Sequence, residues 1–251
     1  MALPRPGVEL VSIELALLAR FSTVEGVFMI KAQLTDNSWL LYEDVKLTGG
    51  FAFVIWFKGE RAGEFVLTLG GYHPDFKRAG YPEVPRLGLR WSIGSNTVIT
   101  AGSYFALTSE AVMAGGAFEV SASLGPAWAE VKFGANGIVY FDPFSYQVDA
   151  YARIAAGITI DFGFFGEATF SISIGASIEV QGPDFRGSAT FEIGPVELTV
   201  EFGGSDKAKR IPISADEFID KYLERADSSS SGARAHALMT AAGALSSTGE
   251  D

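Results

Sequence analysis

Two histidines and no cysteine leave this chain without thiol nucleophiles, thiolate metal sites or disulfides. His73 stands in the segment 70–85, Gly-Gly-Tyr-His-Pro-Asp-Phe-Lys-Arg-Ala-Gly-Tyr-Pro-Glu-Val-Pro. With Arg86 just beyond it, this stretch gathers Tyr72, His73, Asp75, Phe76, Lys77, Arg78, Tyr81, Glu83 and Arg86, the candidate binding residues. Long loops with aromatic and charged side chains are where binding resides on rigid scaffolds. The competing reading is an Ω-type loop folded over one end of a sheet, with Tyr and Phe as plugs. His73 and Asp75 fit a loop-ordering pair better than a catalytic one. A metal needs several convergent ligands, and no second histidine or acidic ligand cluster accompanies His73 in sequence. Neither a nucleophile elbow, a phosphate-cradling loop nor a dinucleotide fingerprint occurs. No catalytic residue, metal or cofactor is therefore expected.

Paired carboxylates could hydrolyse glycosides, but Glu167, Glu179, Glu192, Glu197 and Glu201 each alternate with apolar residues. That spacing puts them on the solvated face of strands. The element that positions them is read most clearly from 144 to 164. Phe144, Tyr146, Val148, Ile154, Ile158 and Ile160 fall on one side, and Ser145, Gln147, Asp149 and Arg153 on the other. A period of two held this long means a strand with one buried face, either unbroken or bent near 155–157. The next segment repeats it with Phe170, Ile172, Ile174 and Ile178 on the apolar side, after a turn at Phe165-Gly166. Two further alternating segments, from 185 to 193 and 196 to 202, complete a meander. Phe51 to Phe57 is apolar on both sides, which predicts a central strand covered on both faces.

The predicted fold is all-β: a large antiparallel meander of long amphipathic strands forming a curved sheet, sandwich or barrel-like body, plus one short C-terminal helix. The β domain spans 1–203. A linker and amphipathic helix follow over 204–227, where Ser214 with Glu217 forms a capping box, and a mobile Ser/Ala/Gly-rich tail runs over 228–251. His236 falls in that tail. A hydrophobic content of 48% is enough for a core, and a net charge of −11 speaks against nucleic acid and anionic membrane surfaces. The start carries no signal-peptide pattern and no apolar run is long enough for a spanning helix, which favours a cytoplasmic location.

Several long strings are specific. They are Leu47-Thr-Gly-Gly-Phe-Ala-Phe, Phe65-Val-Leu-Thr-Leu-Gly-Gly-Tyr-His-Pro-Asp-Phe and Tyr81-Pro-Glu-Val-Pro-Arg-Leu-Gly. Tyr104-Phe-Ala-Leu-Thr-Ser-Glu-Ala-Val-Met-Ala-Gly-Gly and Gly182-Pro-Asp-Phe-Arg-Gly join them. Over about residues 38–203 the chain resembles an uncharacterised bacterial and fungal domain-of-unknown-function family. The resemblance implies long β-rich chains and carries no reaction. Three functions stay open: a non-enzymatic structural or assembly protein, with a homo-oligomer or β-edge partner; a carrier of an apolar or lipid-like ligand in a curved β groove or cavity; and an outer-membrane-type β-barrel.

Overall fold

A computed structural model describes residues 9–203 and 214–222. The predicted 228–251 tail, His236 and most of the predicted linker lie outside the described residues. The strands are β1 (Val11–Ser12), β2 (Leu15–Ser22), β3 (Val27–Leu34), β4 (Trp39–Leu40), β5 (Tyr42–Thr48), β6 (Gly50–Trp56), β7 (Phe65–Leu69) and β8 (Leu87–Ile93). They continue with β9 (Thr97–Thr108), β10 (Ala111–Leu124), β11 (Ala127–Tyr140), β12 (Ser145–Asp161), β13 (Glu167–Gly182), β14 (Arg186–Ile193) and β15 (Val196–Gly203). All belong to one 15-stranded antiparallel sheet that does not close on itself. Described by itself, the helix α1 (Ala215–Tyr222) is eight residues long, directly follows Ser214 and carries Asp216 and Glu217 in its first turn, where acidic side chains meet the positive end of the helix dipole.

From β9 to β15 the sheet is a simple meander, each strand paired with the next in sequence. The 17 residues of β12 pair with β11 and β13 without a bulge, so the strand runs on through 155–157. It ends at Asp161, however: a 3-10 turn over Gly163–Phe165 takes Phe162 and Phe164 out of the predicted strand. On the other side of β9 the sheet forks. β8 pairs with Thr97–Ser103 of β9 and leads to β5, β4 and β1, while β7 pairs with Phe105–Thr108 and leads to β6, β3 and β2. The loop 70–86 joins the two strands that share this edge, and so it sits at the fork.

The registers align the predicted apolar positions into one continuous face. Ile99, Val120, Val131, Ile154, Ile174, Ile193 and Val196 form a single row of β-branched side chains across seven strands, the residue type that packs best between pleated neighbours. Five glycines lie directly opposite an aromatic residue: Gly115 with Tyr104, Gly134 with Tyr151, Gly157 with Trp128, Gly182 with Tyr146, and Gly187 with Phe202. In each pair an added Cβ would come within 2.4–2.9 Å of a ring atom. The joint enrichment in glycine and aromatics thus has a cause: the ring covers the backbone that the glycine leaves bare.

Burial corrects the sequence reading at one central point. The apolar face was expected to be the buried one. Within the chain it is open: Phe144, Val148, Ile154, Ile158, Ile160, Phe170, Ile172, Ile174 and Ile178 are all exposed, Ile154 at 60% and Ile172 at 62%. Tyr146 is half-buried. The core lies on the opposite side of the same sheet, where Ala52, Val54, Val66, Ala106, Met113 and Ile138 are buried and the loop residues Tyr72, Phe76 and Tyr81 pack on them. Strand alternation makes two unlike faces. Which of them is covered depends on what crosses it, and the long loop 70–86 crosses the other one. For the same reason β6 is central in the pairing but not buried on both faces: Ala52 and Val54 are buried, Phe51, Phe53 and Ile55 half-buried, and Phe57 exposed.

Candidate functional site

The loop 70–86 divides into three parts. Tyr72, Phe76 and Tyr81 form an aromatic plug, with ring centroids 5.7–6.1 Å apart in each pair, and Tyr81 stacks on Trp56 at 5.7 Å. The Tyr72 hydroxyl donates to the Pro82 carbonyl at 3.0 Å, and the Tyr81 hydroxyl pairs with Ser109 Oγ at 3.2 Å. Burial pushes both phenols upward, so they stay protonated through the physiological range. This is the plug that the Ω-loop reading anticipates.

The second part is a charged clamp at the rim of the plug. Arg78 donates to Glu64 at 2.7 Å and also pairs with Glu110. Arg61 bonds Glu64 at 2.9 Å and lies 3.6 Å above the centre of the Trp56 ring. Both glutamate side chains are only 13% exposed, a setting in which paired charges count for more than at an open surface. Lys77 and Glu83, grouped with these residues in sequence, are exposed and join no hydrogen bond or ion pair among the described residues.

The third part centres on His73, 2% exposed. Its backbone N–H donates to Met113 Sδ at 3.2 Å, and its Nδ1 accepts from the backbone N–H of Asp75 at 3.2 Å. With Nδ1 occupied as an acceptor, the neutral ring carries its proton on Nε2. That atom is buried without a hydrogen-bond partner and faces Asp149 Oδ1 at 3.7 Å. Asp149 Oδ2 accepts from Asn136 Nδ2 at 2.8 Å, and the Tyr104 hydroxyl donates to Asn136 Oδ1 at 3.1 Å. Arg86 lies 3.8 Å over the Tyr104 ring and donates to the Gly70 carbonyl at 3.0 Å. Asp75 Oδ2 accepts from Gln147 at 3.2 Å. Burial holds His73 below the usual imidazole range, with Asp149 and Asp75 opposing that shift. Tyr104 is pushed up to about 12 by burial, against the pull of Arg86.

Sequence reasoning picked His73, Asp75 and Arg86 but missed Tyr104, Asn136, Gln147 and Asp149. Asn136 and Asp149 are directly opposed on β11 and β12, and Tyr104 and Asn136 both flank Gly115 across β10. A register would have found them; a linear motif would not. Chemically the arrangement ties the loop to the sheet. The imidazole offers no free basic nitrogen, and its one labile proton faces a carboxylate. Among the described residues no group of three or more His, Asp or Glu side chains could hold a metal ion.

A titration follows. The folded-state pKa of His73 is lowered from 6.5, so the unfolded chain takes up the proton first. The neutral ring's contribution to stability is whole above about pH 6.5 and is lost as the pH falls toward the folded-state value. Urea midpoints measured from pH 7.5 to 5 are expected to drop over that window. In His73→Gln, which keeps a donor but cannot titrate, this part of the slope is expected to vanish; an unchanged slope would count against the assignment.

An open antiparallel sheet, bare and apolar on one face and plugged by a loop on the other, is the class of protein that fold and site define. The chain belongs to a family of unknown function (DUF6603), which it matches over residues 1–250. No curated protein and no solved structure matches it. No helix among the described residues is long and apolar enough to cross a membrane.

Proposed function

We propose that the protein is a non-enzymatic assembly module that docks through its bare apolar face on the same face of a second copy. The observation that carries this reading is the segregation of charge. Along β9–β15 every charged strand residue, from Glu119 and Lys132 to Glu197 and Glu201, falls on the loop side, and none falls on the row side of Ile154. A chain of net charge −11 thus presents one surface on which a second copy meets no repulsive side chain. Seven strands spaced ~4.8 Å apart and about 13 residues long offer roughly 1,400 Å² per copy. That exceeds the ~800 Å² per partner of a stable interface and the few hundred Å² of apolar patch ordinary on monomers. A face that is its own complement suits a two-fold pair.

A second reading, carriage of an acyl chain, draws on the small residues Ala114, Gly116, Ala135, Gly137 and Ala150, which adjoin one another across β10–β12 and leave a low floor beside Phe118 and Phe133. Light scattering on the eluting protein separates the two. Assembly through this face predicts a dimer or larger species whose mass Ile154→Asp lowers. A wild-type monomer at high concentration would end the first reading, and co-purified lipid in native mass spectrometry would then favour the second.

A further inference from the structure

We infer that the sheet also extends edge to edge, the outer edge of β15 in one copy accepting β2 of the next, head to tail and parallel. The partner is again a second copy, but the surface is different. This inference uses the backbone edges and does not depend on face-to-face docking.

Of the three strands that end a path of the sheet, β1 is two residues long while β2 and β15 are each eight, and neither of these two has a partner on its outer side among the described residues. Natural edges are blunted by charged side chains, lysine above all, by proline or by bulges; here the charges are confined to Arg20 in β2 and Glu197 and Glu201 in β15. Leu15–Ser22 and Val196–Gly203 contain no lysine or proline, and their pairings with β3 and β14 run without a register shift. They are open templates for another strand.

Topology selects which edges can meet. From β2 the path through β3, β6, β7 and β9 to β15 crosses ten antiparallel pairings, so β2 and β15 point the same way. The same registers put Leu15, Leu17, Ala19 and Phe21 on the apolar face with Val196, Leu198, Val200 and Phe202. A copy that continues the sheet with its apolar face on the same side therefore lays β2 parallel to β15. When Leu15 lies opposite Val196, all eight positions of the two strands coincide, every apolar-face residue meets an apolar-face residue, and Arg20 falls opposite Glu201.

The alternatives gain less. An antiparallel β15–β15 pair centred on Thr199 sets Glu197 against Glu201 twice, and like charges directly opposed are destabilising. A β2–β2 pair gains no opposite charge, since Arg20 is the only charged residue of that strand. In the single chain Arg20 rests on Glu25 at 2.5 Å, both about half exposed, a surface contact easily exchanged. A head-to-tail contact does not close on itself, so the product is an open-ended row of copies.

The natural absence of cysteine makes a direct test available. In the parallel register Leu18 of one copy stands opposite Thr199 of the next, whereas within one chain these residues occupy opposite terminal strands. Full-length Leu18→Cys/Thr199→Cys, oxidised in an Ile154→Asp background to remove face docking, is expected to give a ladder of dimers, trimers and longer species on non-reducing gels. No cross-linking, or dimers alone with Thr199→Cys or Leu18→Cys as efficient as the pair, would overturn the inference. Arg20→Glu and Glu201→Arg, each alone, are expected to weaken association about two- to tenfold, and the double swap to restore it. Equal weakening by the double swap would also overturn it. A lower mass in Ile154→Asp with an intact ladder would support the edge contact and the face contact separately; an intact ladder with no effect of Ile154→Asp on mass would retain the edge and sink the face.

Discussion

Met113→Asp is expected to lower stability by about 3–5 kcal/mol, while Ile154→Asp, a comparable insult in chemical terms, is expected to cost the isolated chain about 1 kcal/mol or less. Met113 is 1% exposed, lies under the loop with Phe76, Tyr104 and Ile138, and gives its sulfur to the His73 N–H. A carboxylate there is either desolvated without a counter-charge or protonated at a cost, and both routes penalise the folded state. Ile154 is 60% exposed, and an aspartate in its place keeps its water. Urea denaturation of both variants at low protein concentration measures the contrast. Equal losses would mean that the apolar face is covered within the chain and that the core has been assigned to the wrong side. A loss in Ile154→Asp that grows with protein concentration is instead what docking of that face on a second copy requires.

The second large effect belongs to Gly70, where the loop leaves β7. Its φ is +75°, and a Cβ would stand 2.4 Å from the Ser103 carbonyl oxygen and 2.7 Å from the Leu87 nitrogen. Both atoms are backbone, in β9 and β8, so neither can swing aside as a side-chain end could. Gly70→Ala thus combines left-handed strain with a steric conflict at the fork of the sheet, and is expected to cost roughly 3 kcal/mol or more. Gly59 is the control: its φ is +79° and nothing lies within 4 Å of the added carbon. Gly59→Ala should show the strain alone, about 1–2 kcal/mol. Similar thermal midpoints for the two alanine variants would show that the fork tolerates the shift.

Much of the architecture was legible before any coordinates. Phe144 to Phe164 alternates for so long that only a strand satisfies most of it, and β12 is that strand from Ser145 to Asp161, the last residues turning toward β13 instead. The plug was legible too, because Tyr72, Phe76 and Tyr81 are too apolar to hang in water from a proline-rich loop. What His73 touches was not. Asp75 is its neighbour in sequence, yet the carboxylate that Nε2 faces is Asp149, on a strand far along the chain. Arg78 likewise found its acids in Glu64 and Glu110, one just before β7 and one in the turn between β9 and β10.

By itself, then, the sequence determined the period, the two unlike faces and the aromatic content of the loop, since each follows from local spacing and side-chain chemistry. Only the tertiary structure decided which face is closed. A strand's alternation records that its two sides differ but not what lies over either, because covering is a contact between segments distant in the chain. Here β7 and β8 share one edge of β9, and the loop between them folds onto the side of Tyr104, Met113 and Ile138. That places the core on the more polar face of the sheet and leaves the long apolar rows of Ile154 and Ile172 free to meet another molecule.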